Sequence, residues 1–438
     1  MIQFNKMREL KITADELIKK LVGCSGVCLL DSCGVNHLGS HLLIAGFLPI
    51  EKLEITNDNP FESLKILNDK LANPNYASIF TLSYDFGLKL ENIASRHISD
   101  EPDLFIAAFD VLIIHDYDTK KTFLCGNNNK FDEAENLLNS TNSKDSINSI
   151  NSINSPNSKT YIKSIEKIQD LIREGKTYQT NLTRQIKVEW SEKPNVEQIF
   201  LRLRKENPAP FAAFLKREND TVISASPERF LHIENGVIST SPIKGTRPRG
   251  ANQAEDLRLR AELLSSEKDL AENVMIVDLL RNDLGRVCEF GSVKVEKLCD
   301  LETHPTLFHL VSTVCGKLKR DVSIADIIRA VFPCGSITGC PKISTMHIID
   351  EIEPTSRGLS MGAIGVSIPD SKFHIPNSLN QGFTLDMSVA IRTMVVRRNA
   401  GTFNVGGGIV IDSVPHDEFV ETEIKSMSLL DAVYFGNN

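Results

Sequence analysis

The sequence predicts an α+β fold in which large, mainly antiparallel β-sheets are flanked by helices. Three features of the 438 residues support this prediction. Short apolar runs at 27–30, 42–47 and 104–109, bounded by Gly, Asp and Asn, are typical of buried strands. Later segments repeat apolar residues at helical spacing. Near the end of the chain, two strand-like segments flank a short turn, which predicts an antiparallel hairpin.

A low-complexity tract divides the chain. Residues 139–158 are rich in Ser and Asn, and Ser146-Ile147-Asn148 is repeated twice more within them. Such a tract buries too little apolar surface to order itself, so we expect a flexible surface insertion. It separates an N-terminal region, 1–138, from a region at 159–438 that contains all the candidate chemistry.

The second region shows clear signals of individual elements. Tyr161, Ile165, Ile168 and Ile172 predict a helix that ends at Gly175. A helix should begin after Ser266, which is a suitable N-cap, and end before Gly285. Other expected elements are a strand at 178–188, a hairpin of 387–396 and 402–411 around Asn399-Ala400-Gly401, and a last helix at 416–433.

Composition excludes several classes of protein. The chain has 49 Lys and Arg against 57 Asp and Glu, a formal net charge of −8, which argues against nucleic acid as the main partner. No apolar run approaches the roughly 20 residues that span a bilayer, and the N-terminus lacks the apolar core of a signal peptide. Its nine cysteines are mostly scattered, and Cys24, Cys28 and Cys33 lack the partners of a zinc site. We therefore expect a reduced, cytoplasmic protein without membrane contact.

Two predicted helices each carry a pair of acids three residues apart. Asp269 and Glu272 share one face of the first helix, and Glu418 and Glu421 share one face of the last. The simpler interpretation is two solvated faces. If the faces are buried together, a hard divalent cation must offset the repulsion, and Mg²⁺ accepts one or two carboxylates beside its substrate.

Three further segments combine glycine with charge. Pro242–Gly250 holds Lys244, which is either a solvated charge or an amine in a partly dry setting, where it would be nucleophilic. Phe332–Lys342, with Pro341 expected at the first position of a helix, is either a tight turn or an anion site. Gly406, Gly407 and Gly408 interrupt an apolar strand, which indicates either a bulge or a molecule close to the backbone. Arg392, on the partner strand of the hairpin, is either a surface residue or a carboxylate clamp.

Taken together, these segments resemble the chorismate-utilising enzymes, which include the large subunits of anthranilate synthase and aminodeoxychorismate synthase, isochorismate synthases and salicylate synthases. The resemblance covers nearly all of 160–434, and many motifs occur in the same order. Besides the segments above they are Ser226-Pro227-Glu228-Arg229-Phe230, Ala271-Glu272-Asn273, Asp278–Arg286, His309-Leu310-Val311-Ser312, Ile391-Arg392-Thr393 and Glu421-Thr422 followed by Lys425. The resemblance implies a fold like that of anthranilate synthase component I.

The resemblance also implies a role for each site residue. Glu272 and Glu421 match magnesium ligands, with Asp269 and Glu418 as acids behind them; the family often has Glu where Asp269 stands. Glu228 matches the general acid that protonates the departing C4 hydroxyl, and His309 matches an active-site histidine. The residues that match substrate-binding groups are Gly245, Thr246, Thr338, Arg392, Gly406, Gly407, Gly408 and Lys425.

Two positions select a reaction within the family. Water-using relatives carry a general-base lysine where this chain has Gln179, and a neutral amide cannot deprotonate water. In the loop around Lys244, anthranilate synthases resemble Pro-Ile-Ala-Gly-Thr, whereas the enzymes that aminate C4 carry Pro-Ile-Lys-Gly-Thr. This chain has the second sequence, with Lys244 at the central position. The resemblance thus implies amination of chorismate at C4 to 4-amino-4-deoxychorismate, with Mg²⁺ bound and Lys244 forming a transient covalent bond.

The alternatives are amination at C2 with loss of pyruvate, as in anthranilate synthase component I, and a non-enzymatic regulatory subunit that binds chorismate or tryptophan. No Cys-His glutaminase constellation is evident in the sequence. By the resemblance, a separate glutamine amidotransferase subunit should therefore supply the ammonia.

Overall fold

The computed structural model describes residues 6–35, 41–141, 149–303, 307–369 and 383–434. The strands are β1 (Met7–Leu10), β2 (Cys28–Asp31), β3 (Leu42–Gly46), β4 (Glu51–Ile55), β5 (Ala77–Leu82), β6 (Leu104–Phe109), β7 (Val111–Asp116), β8 (Lys121–Gly126), β9 (Ile150–Asn154), β10 (Gln179–Trp190), β11 (Phe211–Lys216), β12 (Thr221–Ser226), β13 (Arg229–Glu234), β14 (Val237–Ser241), β15 (Ile243–Pro248), β16 (Lys294–Thr303), β17 (Leu307–Lys317), β18 (Gly339–Cys340), β19 (Ala363–Pro369), β20 (Phe383–Val389), β21 (Thr393–Arg397) and β22 (Ala400–Ile409). The helices are α1 (Ala14–Gly23), α2 (Pro60–Leu71), α3 (Tyr84–Leu90), α4 (Phe131–Ser140), α5 (Ser158–Arg173), α6 (Val196–Glu206), α7 (Gln253–Leu264), α8 (Glu267–Val287), α9 (Ile324–Val331), α10 (Lys342–Ile352) and α11 (Pro415–Val433).

The strands form two sheets, and every strand pairing between described residues is antiparallel. The first sheet has twelve strands in the order β1-β8-β7-β3-β2-β11-β12-β21-β22-β10-β18, with β9 also paired to β10. The second has ten, β15-β17-β14-β13-β20-β19-β5-β6-β4, with β16 also paired to β17. The predicted α+β class is confirmed. Each sheet contains strands from both sides of residues 139–158, so that boundary divides the chain but not the sheets.

The sheets pack face to face with helices on their outer faces. Strand β11 illustrates the alternation: Ala213 and Leu215 point into an apolar layer shared with β5 and β6 of the other sheet. Ala212 and Phe214 point outward, into a cluster with α1 and α6. Because both faces are covered, these strands are apolar at nearly every position, as the short runs in the sequence predicted. Within the described ranges, no helix is long and apolar enough to cross a membrane.

The predicted helices form with small changes at their ends. Helix α5 is followed by Gly175 at φ +75°, and the Ser266 hydroxyl caps α8 by accepting from the Asp269 N–H at 3.3 Å. The prediction that α8 ends before Gly285 is wrong, since the helix continues to Val287, whose side chain is buried with α9. Pro341 precedes α10 as its N-cap and does not occupy the first helical position.

The prediction of one strand at 387–396 is also wrong. Residues up to Val389 belong to β20 in the second sheet, whereas Thr393 begins β21 in the first. The chain changes sheets between them, and Arg392 takes a positive φ of +48° at the crossing. The hairpin of β21 and β22 is confirmed, but it turns at Arg398-Asn399 because Arg397 pairs with Ala400.

The tract at 139–158 contains ordered structure. Ile150–Asn154 form β9, which pairs along the edge of β10, and Ile150 and Ile153 pack against the apolar cluster below. The prediction of a flexible insertion is therefore wrong for these residues, since two isoleucines and an open strand edge outweigh the polar composition. Residues 142–148 lie outside the described residues.

Candidate active site

Two of the predicted residues lie where the chain passes between the sheets. Glu228 connects β12 of the first sheet to β13 of the second, and Arg392 connects β20 to β21 in the reverse direction. The crossings are joined by hydrogen bonds from the Val389 N–H to the Glu228 carbonyl at 3.1 Å and from the Ala225 N–H to the Arg392 carbonyl at 3.1 Å. The two crossings therefore lie side by side between the sheets.

The carboxyl group of Glu228 is buried, with only 4% of the residue exposed. Burial raises its pKa, and the effect is opposed by a hydrogen bond with Ser336 and by the positive charges of Lys244 and Lys425. Its Oε1 atom has no hydrogen-bond partner among the described residues. A buried carboxyl with a raised pKa is suited to donating a proton.

Lys244 lies on β15, close enough to Glu228 for its charge to act on that carboxyl group. Its Nζ donates to the Ser336 carbonyl at 3.2 Å. Its positive charge also acts on Glu228, Glu272 and Glu421, where it opposes the rise in pKa that burial causes. The amine of this half-buried lysine therefore lies near the three acids.

The next two residues of this loop are held by their neighbours. Gly245 has φ +82°, and a Cβ atom there would lie 3.0 Å from both the Asp269 Cβ and Leu263 Cδ1. Only glycine adopts this conformation readily at such close quarters. The Thr246 hydroxyl is 2.9 Å from His309 Nδ1, across the β15–β17 pairing. Predicted residues Gly245, Thr246 and His309 thus form one wall beside Lys244.

The three glycines lie within β22, paired with β10 in regular register. A Cβ at Gly407 would lie 3.3 Å from Glu418 Oε2 and 3.8 Å from both Glu421 Oε1 and Lys425 Nζ. A Cβ at Gly408 would lie 2.2 Å from Gln179 Nε2 and 3.3 Å from Glu272 Oε2. The absence of side chains here therefore leaves the strand backbone directly beside the acids of α8 and α11.

Gln179 is completely buried, and neither its Oε1 nor its Nε2 has a hydrogen-bond partner among the described residues. The same holds for the Thr180 hydroxyl and the Asn181 Nδ2. An unpaired buried polar group costs about 1–3 kcal/mol. Gln179 and Asn181 share one face of the strand, and their unpaired groups indicate a place there where a polar ligand or water binds.

The two acid pairs meet beside Gly407 and Gly408, with Glu418 buried and Glu421 half exposed. Burial raises the pKa of Glu272, opposed by Lys244 and Lys268 and reinforced by Glu418 and Asp269. Burial raises the pKa of Glu421, but the ion pair with Lys425, whose Nζ is 2.6 Å from Oε1, together with the charges of Lys268 and Lys244 leaves that pKa lowered. The outer acids are paired: Glu418 with Lys268 at 2.9 Å, and Asp269 with Arg247 at 3.3 Å.

These acids have the chemistry of a magnesium site. Glu272 forms no hydrogen bond or ion pair with the described residues, so a partly buried carboxylate remains available to a cation. No three His, Cys, Asp or Glu side chains in the described part of the chain are grouped closely enough to hold a metal alone. Mg²⁺ commonly uses one or two carboxylates and completes its shell with water and substrate, so Glu272 and Glu421 fit this requirement.

Cationic groups lie on both sides of the glycine strand. Lys425 Nζ donates to the Gly406 carbonyl at 2.9 Å in addition to pairing with Glu421. The Arg392 guanidinium forms no hydrogen bond or ion pair with a described residue, and burial lowers its pKa. An unpaired, largely desolvated guanidinium is suited to binding an anion.

Thr338 lies at the back of the site. It is completely buried, and its hydroxyl donates to the Cys334 carbonyl at 3.0 Å. The Asn181 N–H donates to the Thr338 carbonyl at 2.8 Å, which attaches the Gly335–Ile337 turn to β10. Its hydroxyl therefore supports this turn, which also presents the Ser336 carbonyl to Lys244.

Sequence reasoning missed several members of this site. Lys268 and Ser336 contact predicted residues directly, and Thr180 and Asn181 line the strand beside Gln179. Each of these residues lies within or next to a segment that the sequence marks as part of a site. Their side-chain directions, however, depend on how β10, α8 and the Gly335–Ile337 turn meet.

The chain is similar in sequence and in fold to known proteins. Residues 28–431 match the family model described as chorismate binding enzyme. Aminodeoxychorismate synthase component 1 of Escherichia coli (strain K12) is 34% identical over 412 residues, covering 91% of this chain and 87% of that protein. Aminodeoxychorismate synthase of Streptomyces pristinaespiralis is 44% identical over 274 residues, covering 62% of this chain and 36% of that one.

The chain spans about a third of the length of the first curated relatives it matches, 36%, 29% and 29%. Among solved structures, anthranilate synthase component I from Streptococcus pneumoniae TIGR4 is similar, with a TM-score of 0.75 and 26% identity over 90% of this chain and 93% of that one. From the match over 28–431 and the full-length relative, the chain belongs to the chorismate binding enzyme family.

Proposed function

We propose that this protein aminates chorismate at C4 with ammonia, giving 4-amino-4-deoxychorismate and water. The observation that carries the proposal is the position of Lys244, whose Nζ lies at the Ser336 carbonyl and acts on the carboxylates of Glu228, Glu272 and Glu421. The names of the relatives from Escherichia coli and Streptomyces pristinaespiralis support the same reaction.

The first step joins Lys244 to the substrate. The neutral amine attacks C2 of the ring, the double bonds shift, and the C4–O bond breaks. Glu228 gives its proton to the departing oxygen, which leaves as water; the raised pKa of this buried carboxyl supports the role. Covalent catalysis thereby replaces one difficult displacement with two easier ones.

In the second step ammonia adds at C4, the double bonds shift back, and the C2–N bond to Lys244 breaks. The incoming nitrogen loses a proton, which restores the acid form of Glu228, and the lysine amine is released, so that the enolpyruvyl group stays on the ring. Gln179, at the start of β10, is a neutral amide and cannot deprotonate water. Its presence therefore favours ammonia as the nucleophile. His309, held by Thr246, orients the ring from the opposite wall.

The remaining groups bind the substrate's two carboxylates. Glu272 and Glu421 would hold Mg²⁺, with Asp269 and Glu418 paired behind them. A bound ion would supply positive charge to orient the ring carboxylate and to screen it from these acids. Arg392, Lys425 and the backbone of Gly406 and Gly408 bind the enolpyruvyl carboxylate. The unpaired guanidinium of Arg392 supports this assignment.

Product analysis tests the proposal. The purified chain is incubated with chorismate, Mg²⁺ and ammonium, and products are identified by mass spectrometry. We expect a product in which NH₂ has replaced the C4 hydroxyl, and no such product from Lys244→Ala. Lys297→Ala, at an exposed lysine of β16, is the matched control and should retain activity. Full retention of the product by Lys244→Ala would remove Lys244 from the mechanism.

The second candidate is amination at C2 with release of pyruvate. It is favoured by the likeness to anthranilate synthase component I of Streptococcus pneumoniae TIGR4. Anthranilate fluorescence and free pyruvate in the same incubation would identify this reaction. A chain that binds chorismate but turns over neither product would instead be the regulatory subunit.

The ammonia is proposed to come from a separate glutamine amidotransferase subunit. Support comes from apolar side chains exposed next to site residues: Tyr178 precedes Gln179, and Val420 and Ile424 precede Glu421 and Lys425. Such exposed apolar side chains suit contact with a protein partner beside the site. With the partner present, glutamine should replace ammonium as nitrogen source.

A further inference from the structure

A buried ion pair lies directly behind the candidate site. Glu353 follows α10, and Arg357 is four residues further along; both side chains are almost completely enclosed, at 3% and 2% exposure. Arg357 Nη2 and Nε donate to the two carboxylate oxygens at 2.6 and 2.9 Å. A buried pair of this kind gains little stability over apolar side chains of the same volume, so its presence calls for another reason.

The guanidinium also reaches two carbonyls on separate elements. Nη1 donates to the Ile337 carbonyl at 2.9 Å, and Nη2 donates to the Asn181 carbonyl at 2.6 Å. Ile337 ends the turn that presents the Ser336 carbonyl to Lys244, and Asn181 lies on β10 two residues after Gln179. One rigid planar cation therefore joins the two elements that hold the amine and the amide.

Glu353 continues the same network along β10. Its Oε1 accepts from the Thr183 N–H at 2.6 Å and from the Thr183 hydroxyl at 2.9 Å. Asn404 Nδ2 donates to that hydroxyl at 3.0 Å, which extends the contact to β22 just before the three glycines. The face of Arg357 stacks on the Tyr84 ring at 4.5 Å, so the guanidinium has no freedom to turn.

We propose that Glu353 and Arg357 are positioning residues that set the distance between Lys244 and the β10–β22 strands, and so place the amine for attack. The inference rests on the proposed function, because it assigns a consequence to where Lys244 stands. Neither side chain touches the substrate region: they act through the Ile337, Asn181 and Thr183 backbone. A displacement of about 1 Å at a reacting group lowers a rate by as much as about 100-fold.

The test is Arg357→Lys, which keeps the charge against Glu353 but cannot donate to two carbonyls and two carboxylate oxygens in one plane. We expect kcat for chorismate amination to fall about 100-fold while KM changes less than about threefold, since substrate-binding groups are untouched. Arg217→Lys is the matched control: Arg217 is equally buried and pairs with Asp220 at 2.6 and 3.0 Å, but none of its hydrogen bonds goes to β10 or the turn.

A second readout does not depend on turnover. An amine-directed reagent acetylates lysines, and peptide mass spectrometry measures the rate at Lys244 relative to that at exposed Lys163. This rate depends on how firmly the hydrogen bond to the Ser336 carbonyl holds the amine of Lys244. We expect it to rise in Arg357→Lys and to stay unchanged in Arg217→Lys. If the wild type makes no C4-aminated product, the proposed function fails, while the acetylation result still decides the positioning role.

A folded Arg357→Lys with wild-type kcat and wild-type Lys244 acetylation would overturn the inference, as would an equal loss of kcat in Arg217→Lys. Where Arg357→Lys does not fold, Glu353→Gln serves: its amide oxygen still accepts from Thr183, but the guanidinium loses its counter-charge. This variant should show a smaller loss of kcat in the same direction, and wild-type kcat there would equally refute the role.

Discussion

Alanine substitutions at Gly406 and Gly407 of β22 distinguish a glycine required for packing between strands from a glycine required for the approach of a ligand. At Gly406 a Cβ would lie 2.0 Å from the Leu182 carbonyl oxygen and 2.8 Å from its carbon, both backbone atoms of β10. The strands must then separate. Overpacking of this kind costs about 1–3 kcal/mol, and a collision with backbone belongs at the upper end. Gly406→Ala should therefore lose roughly 3 kcal/mol of unfolding free energy.

At Gly407 the same methyl group meets only side-chain ends: Glu418 Oε2 at 3.3 Å, Glu421 Oε1 at 3.8 Å and Lys425 Nζ at 3.8 Å. Replacing a strand glycine stabilises by about 0.5–1 kcal/mol, which offsets a small shift of Glu418. Gly407→Ala should thus unfold within about 1 kcal/mol of wild type. Its methyl group nevertheless occupies the space beside the acids, and we expect kcat/KM for chorismate to fall about 100-fold.

The assays are urea unfolding followed by circular dichroism and steady-state amination at saturating ammonium. The decisive result is the contrast between the two variants: stability lost at Gly406, activity lost at Gly407 with stability retained. Wild-type kcat/KM in Gly407→Ala would mean that no substrate or cation approaches this backbone. Wild-type unfolding of Gly406→Ala would contradict the close contact with β10.

Three further predictions follow from single contacts. Burial raises the pKa of Glu228 above 4.5, so between 4.5 and the raised value the native state binds more protons than the unfolded state, and stability falls as pH rises. Glu228→Gln should therefore gain stability relative to wild type as pH rises through this window. Urea unfolding measures the difference, and a difference that does not change with pH would contradict the prediction. Chelation by EDTA should abolish amination and added Mg²⁺ restore it, and Glu272→Gln should need more Mg²⁺ for half-maximal rate; an unchanged requirement would exclude Glu272 as a ligand. Gly245→Ala forces φ +82° on a residue with a Cβ placed 3.0 Å from Asp269, so it should lose about 1–2 kcal/mol of unfolding free energy, and a wild-type urea midpoint would refute this strain.

Much of the fold was predictable because local patterns there agree with the tertiary structure. Strands that are covered on both faces appear in the sequence as short apolar runs. Gly175 marks the end of α5, and the Ser266 cap marks the start of α8. The failures share a cause. The run at 387–396 is continuous in hydrophobicity but changes sheets at Arg392, and β9 exists because Ile150 and Ile153 find an open edge of β10. Neither partner is visible within a local window.

The site divides in the same way. Spacing placed Asp269 beside Glu272 and Glu418 beside Glu421, but left open whether those faces are solvated or buried together. Their approach beside Gly407 and Gly408 results from the packing of α11 against β22 and of α8 against β15 and β17. The ion pair of Lys268 with Glu418 likewise joins two helices far apart in the chain.

The sequence by itself determined the α+β class, the order of most elements and the set of chemical groups, because hydrophobic periodicity, caps and residue types are local properties. Only the tertiary structure decided which groups meet. Whether Lys244 faces solvent or the acids depends on where β15, the Gly335–Ile337 turn and β10 converge. That convergence is held by long-range contacts such as those of Arg357, and the free energy of such contacts exists only once the sheets have packed.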